Sequence, residues 1–155
     1  MSTAFDNPVA FESRLLDFRR EARSARTSLV LRSDEDVVAL RRHVRERAVA
    51  IALSLVDQTK LVTAASELAR NTIKYGGGGV VHLDAMDDGL RHGVGLVFVD
   101  DGPGIADLEL ALRDGYTTGG GLGLGLSGSK RLVDEFDLDS RLGEGTAVAV
   151  IKWKR

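Results

Sequence analysis

The stretch "ELARNTIKYGGGG", residues 67–79, sets the reading of the whole chain. Glu67 and Asn71 stand four positions apart, so on a helix their side chains leave the same face, one above the other. Leu61, Ala64, Ala65, Leu68 and Ile73 recur at helical spacing around them, and four glycines from Gly76 stop the pattern. The spacing predicts a helix from about residue 57 to 75 that carries a carboxylate and a carboxamide together. Two polar residues on a solvated helix face would explain the pair alone, so its meaning depends on what surrounds it.

Upstream, Ser33 followed by Asp34, Glu35 and Asp36 is an N-cap with an acidic first turn, which predicts a helix over about 34–54. "TSLVLRS" before it is a short strand candidate. Residues 9–26 read as an amphipathic helix, with Phe11, Leu15, Phe18 and Ala22 at helical spacing. Downstream, "VVHLDAM" and "VGLVFVD" are strand-like runs joined by the polar "DDGLRHG", a hairpin signal. A short helix is expected in "DLELALRDG", then a mobile glycine-rich loop in "GYTTGGGLGLGL". Helical spacing returns in "SGSKRLVDEF", and "LDSRLGEGTAVAVIKW" closes the chain as a hairpin turning at "GEG". Helices, then strands with one helix inserted, predict an α/β sandwich with a largely antiparallel sheet.

Composition narrows the function classes. At 155 residues and 43% apolar side chains, the chain can bury one core and fits a single domain. Cysteine is absent, which removes disulfides and thiolate metal sites and makes the cytoplasm the expected compartment. The apolar run within "AVAIALSLV" falls well short of the roughly 20 residues that cross a bilayer, and "MSTAFDNPVAFESR" lacks an export pattern. A net charge of −2 argues against nucleic-acid binding. Arginines crowd residues 14–47 but alternate with acids, as expected of solvated helix faces laced with ion pairs. His43, His82 and His92 show no metal-ligand spacing, and Trp153 reads as an apolar anchor at a strand end.

Three further segments carry chemistry. "VFVDDGPGI" ends a buried-looking strand in Asp100, beside Gly102 and Gly104. A carboxylate there can accept a hydrogen bond from an amino group, and missing side chains let a flat ring approach; a tight turn explains the same residues equally well. In "TTGGGLGLGLSGSK", Gly121, Gly123 and Gly125 leave backbone amides open, and a helix from about Ser127 would offer unpaired N–H groups to a phosphate. A dinucleotide fingerprint needs a strand before the glycines, which "GYTTGG" does not supply, and Lys130 follows Ser129 where the Walker pattern needs glycine. Thr146, after "GEG", is either an ordinary strand residue or faces a ligand beside Asp100.

Taken in order, E-x-x-x-N at 67–71, D-x-G-x-G at 100–104, the glycine-rich lid at 119–125 and G-T at 145–146 resemble the GHKL, or Bergerat-fold, ATP-binding superfamily. The likeness covers residues 28 to 153 and is strongest to the RsbT-type switch serine/threonine kinases of bacterial stress signalling, close relatives of the anti-sigma-factor kinases. It divides the chain into an N-terminal helical extension, 1–27, and a GHKL ATP-binding kinase domain, 28–155. It implies a two-layer α/β sandwich, with a mixed, mostly antiparallel sheet and helices on one face.

The resemblance also implies roles. Asn71 would hold Mg²⁺ across the phosphates of ATP, and Glu67 would be the catalytic base facing a serine hydroxyl. Asp100 would receive the adenine amine, with Gly102, Gly104 and Ile105 beside the ring and Thr146 on the same edge. Thr118, Gly121, Gly123, Leu124 and Gly125 would form the lid over the phosphates. The lid has no Arg or Lys from Thr118 to Gly125, which leaves Lys74, Arg70 or Lys130 to meet the terminal phosphate, Lys74 being the one assigned to the nucleotide. The implied substrate is a STAS-domain antagonist protein, and a further implied partner is a downstream phosphatase of the PP2C type. The alternative is an anti-sigma factor that sequesters a sigma subunit. Neither nucleic acid nor membrane is an expected partner, and a homodimer is left open.

Overall fold

The computed structural model describes residues 22–105 and 125–155. In chain order the elements are β1 (Ala22–Leu31), α1 (Asp34–Ala50), α2 (Leu55–Gly76), β2 (Gly79–Asp87), β3 (His92–Asp100), α3 (Gly125–Arg131), β4 (Glu135–Arg141) and β5 (Gly145–Trp153). The five strands form one sheet in the order β1-β2-β3-β5-β4. Every pairing among them is antiparallel. The expected α/β sandwich is therefore present, without the parallel pair that a mixed sheet would contain among the described strands.

Alternation along the strands divides the buried residues between two faces. Val81 and Leu83 of β2, Val94, Leu96 and Phe98 of β3, and Val148 and Val150 of β5 share one core with Leu40 and Val44 of α1 and Leu61, Ala65 and Leu68 of α2. Met86, Val97, Val99, Ala147, Ala149, Ile151 and Trp153, of opposite parity, form a second cluster. Burial on both faces is why β3 and β5 read as nearly unbroken apolar runs. Trp153, 1% exposed, is the anchor its position suggested, and its indole N–H donates to Glu135.

Local chemistry moves three expected boundaries. The helix expected over 34–54 ends at Ala50, because Ser54 caps a new helix by accepting the Asp57 amide at 3.1 Å. Its own start holds: the Ser33 amide donates to Asp36 across the first turn, at 3.1 Å. The helix in "SGSKRLVDEF" stops at Arg131, since Asp134 and Glu135 are claimed by β5: the Trp153 amide donates to Asp134 at 2.7 Å. Residues 22–26, expected to end an N-terminal helix, are strand. They pair with β2 from Ala22 opposite Asp87 onward, through an irregularity between Ser24 and Thr27, and Arg26 grips the buried Asp84 at 2.8 Å. Tertiary pairing outweighs the helical periodicity there, and the sheet's edge strand begins inside residues 1–27. The rest of that helix and the one in "DLELALRDG" lie outside the described residues.

The Arg-rich face of α1 is solvated as expected, with Arg41, Arg42 and Arg45 exposed. Arg47 is the exception, tying α1 to β1 through Thr27 at 2.8 Å. No described helix is long and apolar enough to cross a membrane.

Candidate functional site

α2 is the longest described helix, 22 residues, and its buried side lies on the sheet. Glu67, Asn71 and Lys74 occupy positions i, i+4 and i+7 on it, one stripe running toward the helix end. Glu67 is buried and Asn71 half-buried, while Lys74 is exposed with its ammonium 5.2 Å from the Tyr75 ring. The helix ends in Gly77, whose left-handed φ of 74° suits a residue without Cβ.

The end of α2 meets the end of β3. A Cβ on Gly76 would stand 2.4 Å from the Asp100 carboxyl carbon, and one on Gly102 would stand 2.7 Å from the Gly76 Cα. Gly76, Gly102 and Asp100 therefore interlock, and the room that Gly102 leaves is filled by the α2 terminus. The corresponding room at Gly104 faces the Arg141 carbonyl. The D-x-G-x-G glycines thus allow backbone to approach backbone, where the sequence pattern had suggested space for a ring.

Asp100 lies on the helix-facing side, by parity with Leu96 and Phe98. Its register partner on β5 is Thr146, and the partner of Thr146 on β4 is Ser140. The three make a polar rung across the end of the sheet, next to two apolar rungs, Phe98–Val148–Leu138 and Leu96–Val150–Phe136. Burial pushes the Asp100 carboxyl up to about 6, with Asp101 adding to the rise and the amides of Gly102 and Thr146 opposing it. The Gly102 amide donates to Asp100 at 2.9 Å. Beside it, the Ile105 amide donates to Ser140 Oγ at 2.7 Å, and Ser140 Oγ lies 2.8 Å from the Thr146 hydroxyl.

The structure brings Glu67, Asn71, Asp100, Gly102, Gly104, Ile105 and Thr146 to the side of the sheet where α2 and β3 end and β5 begins. Gly125 joins them from the other side, its amide 3.4 Å from Glu67 Oε1. The helix after the glycines starts there, two residues earlier than expected, and is only seven residues long. Thr118, Gly121, Gly123 and Leu124 lie outside the described residues. Gly76 and Ser140 were missed. The sequence marks Gly76 only as a helix stop, and Ser140 is legible only from the hairpin register across "GEG", which pairs it with Thr146.

Residues 56–155 match the family described as histidine kinase-, DNA gyrase B-, and HSP90-like ATPase. The chain belongs to that family. Over 120 residues it is 45% identical to the serine/threonine-protein kinase RsbT of Bacillus subtilis, covering 77% of this chain and 90% of that one. It is 33% identical over 106 residues to the anti-sigma F factor of Anoxybacillus flavithermus, covering 64% and 71% respectively. Its fold is similar to a solved structure of the RsbU and RsbW domains of a Mycobacterium tuberculosis protein, with a TM-score of 0.59 at 19% identity. That similarity spans 85% of this chain and 33% of the other.

The ATPase-family resemblance raises the question of Mg²⁺, which the donor set can be tested against. Among the described residues no three His, Asp or Glu side chains gather into a cation cage. Mg²⁺ keeps several waters and takes few protein ligands, usually carboxylates, beside substrate phosphates, so the half-buried Asn71 carboxamide, one helical turn from the Glu67 carboxylate, is compatible with it.

Proposed function

We propose that the chain is an ATP-dependent protein serine/threonine kinase that phosphorylates a STAS-domain antagonist protein in a bacterial partner-switching pathway, in the cytoplasm. The observation that carries this reading is the Glu67–Asn71 stripe ending at Asp100, in a chain 45% identical to a serine/threonine-protein kinase along nearly all of that kinase. The Asp100 carboxylate accepts the adenine amine, and Thr146 lies on the same edge. Asn71 would hold Mg²⁺, which would neutralise charge on the phosphates. Thr118, Gly121, Gly123, Leu124 and Gly125 are assigned to the phosphates by the resemblance, and Lys74 is the basic residue assigned to the nucleotide with them.

Glu67 faces the substrate hydroxyl. The hydroxyl oxygen bonds to the γ-phosphorus as the bond to the bridging oxygen breaks, ADP leaves with the electron pair, and the hydroxyl proton passes to the Glu67 carboxylate. In a loose transition state positioning dominates over proton removal, so holding the hydroxyl in line is the larger part of the Glu67 contribution. The Gly125 amide approaches one Glu67 oxygen at 3.4 Å, and the other oxygen is the one assigned to the hydroxyl.

The test is transfer of labelled γ-phosphate from ATP to protein in a lysate of the source organism, with the labelled protein identified. A STAS-domain product carrying phosphoserine or phosphothreonine supports the reading, and no labelled protein contradicts it. A second reading, a sigma-sequestering factor whose kinase activity releases its partner, is supported by the 33% identity to an anti-sigma F factor. Affinity capture separates the two: a PP2C-type phosphatase beside the STAS protein favours the first, a sigma subunit the second.

A further inference from the structure

We propose that Ser140 is a positioning residue that fixes the Thr146 hydroxyl as a hydrogen-bond acceptor, so that the site selects a purine bearing an exocyclic amine over one bearing a carbonyl. The inference rests on the nucleotide reading above and adds to it the device that chooses the base.

Proton counting around Ser140 gives the direction of every bond. A hydroxyl has one proton to donate and two lone pairs to accept with. Ser140 Oγ accepts the Ile105 amide at 2.7 Å. It also lies 3.1 Å from the Gly145 carbonyl oxygen, a contact in which only the serine can donate. Its proton is thereby committed, and in the 2.8 Å contact with Thr146 the donor is the threonine. The Thr146 proton then points away from Asp100, and its free lone pair faces the same edge as the carboxylate. Both sides of that rung accept. An amino group, with two protons, satisfies two acceptors, whereas a carbonyl oxygen at the same place meets only lone pairs.

The arrangement is built into the sheet. Asp100, Thr146 and Ser140 are successive register partners on β3, β5 and β4, so their side chains stand in a row on one face. The Ile105 amide comes from the segment that also carries Gly102 and Gly104, so Ser140 couples the base edge to the loop leaving Asp100.

The test compares Mg-ATP and Mg-ITP affinities by calorimetry for the unsubstituted chain, Ser140→Ala and Ser140→Thr. With Ser140→Ala the Thr146 hydroxyl is released to rotate and donate to a carbonyl, so the ATP-over-ITP preference drops by about fivefold, the worth of one net hydrogen bond. Ser140→Thr keeps the hydroxyl and restores the preference. Should Ser140→Ala fail to fold, Ser140→Cys, a weak donor and acceptor, is expected to lower the same ratio. Equal loss of both affinities with an unchanged ratio would show a merely structural role and overturn the proposal. If the unsubstituted chain binds neither nucleotide, the kinase reading and this inference fall together; if it prefers ATP and the variants keep that preference, only this inference falls.

Discussion

Asp100 and Thr146 are register partners, and the Gly76 backbone packs so closely on Asp100 that a methyl group there would overlap its carboxyl. The proposed base-recognition edge therefore depends on a contact between the ends of a helix and a strand that are distant in sequence. That contact places the carboxylate one helical turn beyond Asn71 and makes its environment apolar enough to alter its charge.

The pH dependence of binding follows from the raised Asp100 carboxyl. The native site takes up its proton at about 6, where the unfolded chain does so near 3.8. The stabilisation that Asp100 gives the empty fold is thus fully present below 3.8 and is lost as pH rises through about 6. An amine donor selects the ionised form, so ligand affinity moves the other way. Adenosine, which carries no titrating phosphate, is expected to bind about tenfold more weakly at pH 5 than at pH 7, by proton linkage to a carboxyl near 6. A flat affinity profile in calorimetry would contradict this, and Asp100→Asn should flatten it.

Gly76→Ala should damage the site more than the fold. The added Cβ falls 2.4 Å from Asp100 Cγ, so the carboxylate must move. Overpacking of this kind costs about 1–3 kcal/mol, and in this case much of the cost appears as lost nucleotide affinity. Adenosine titration alongside urea denaturation measures the two shares; unchanged affinity would mean that Asp100 does not touch the base.

Asn71→Ala separates metal from base recognition. Alanine favours the helix, so folding should be kept. Phosphotransfer is expected to fall by about a hundredfold or more, the scale of removing one group that stabilises developing charge. Adenosine affinity should not change, because Asp100 and Thr146 remain. Full transfer activity in this variant would remove Asn71 from the metal site.

Stability far from the site hinges on Lys152, which is 4% exposed and lies 3.6 Å from Asp57 and 3.5 Å from Asp134. Asp134 keeps Arg155 and the Trp153 amide, so the group left without its cation is Asp57, and Lys152→Ala is expected to cost about 1–3 kcal/mol in urea denaturation. Adenosine affinity should hold, since Lys152 pairs with Val94, six residues along β3 from Asp100.

Where periodicity and capping agree with tertiary contacts, the fold was legible: α2 through Leu61, Ala65 and Leu68, and the hairpins through their polar turns. It was not legible where long-range pairing wins. Ala22 suits a helix by spacing yet pairs with Asp87, and Glu135 continues a helical pattern yet receives the Trp153 indole. Candidate site residues with an unusual side chain for their setting, Glu67, Asn71 and Asp100, stand out in the sequence. Gly76 does not, because its contact with Asp100 is long-range, and Ser140 does so only through the register of the closing hairpin, which pairs it with Thr146.

The most direct measurement of the central claim is calorimetric titration of Mg-ATP into the unsubstituted chain and Asp100→Asn. One site per chain is expected, and the variant, whose carboxamide can turn its NH₂ toward the adenine amine, should bind about ten- to a hundredfold more weakly, the worth of a charge-assisted hydrogen bond. Equal affinities, or no binding to the unsubstituted chain, would contradict the assignment of an adenine nucleotide to the junction of α2, β3 and β5.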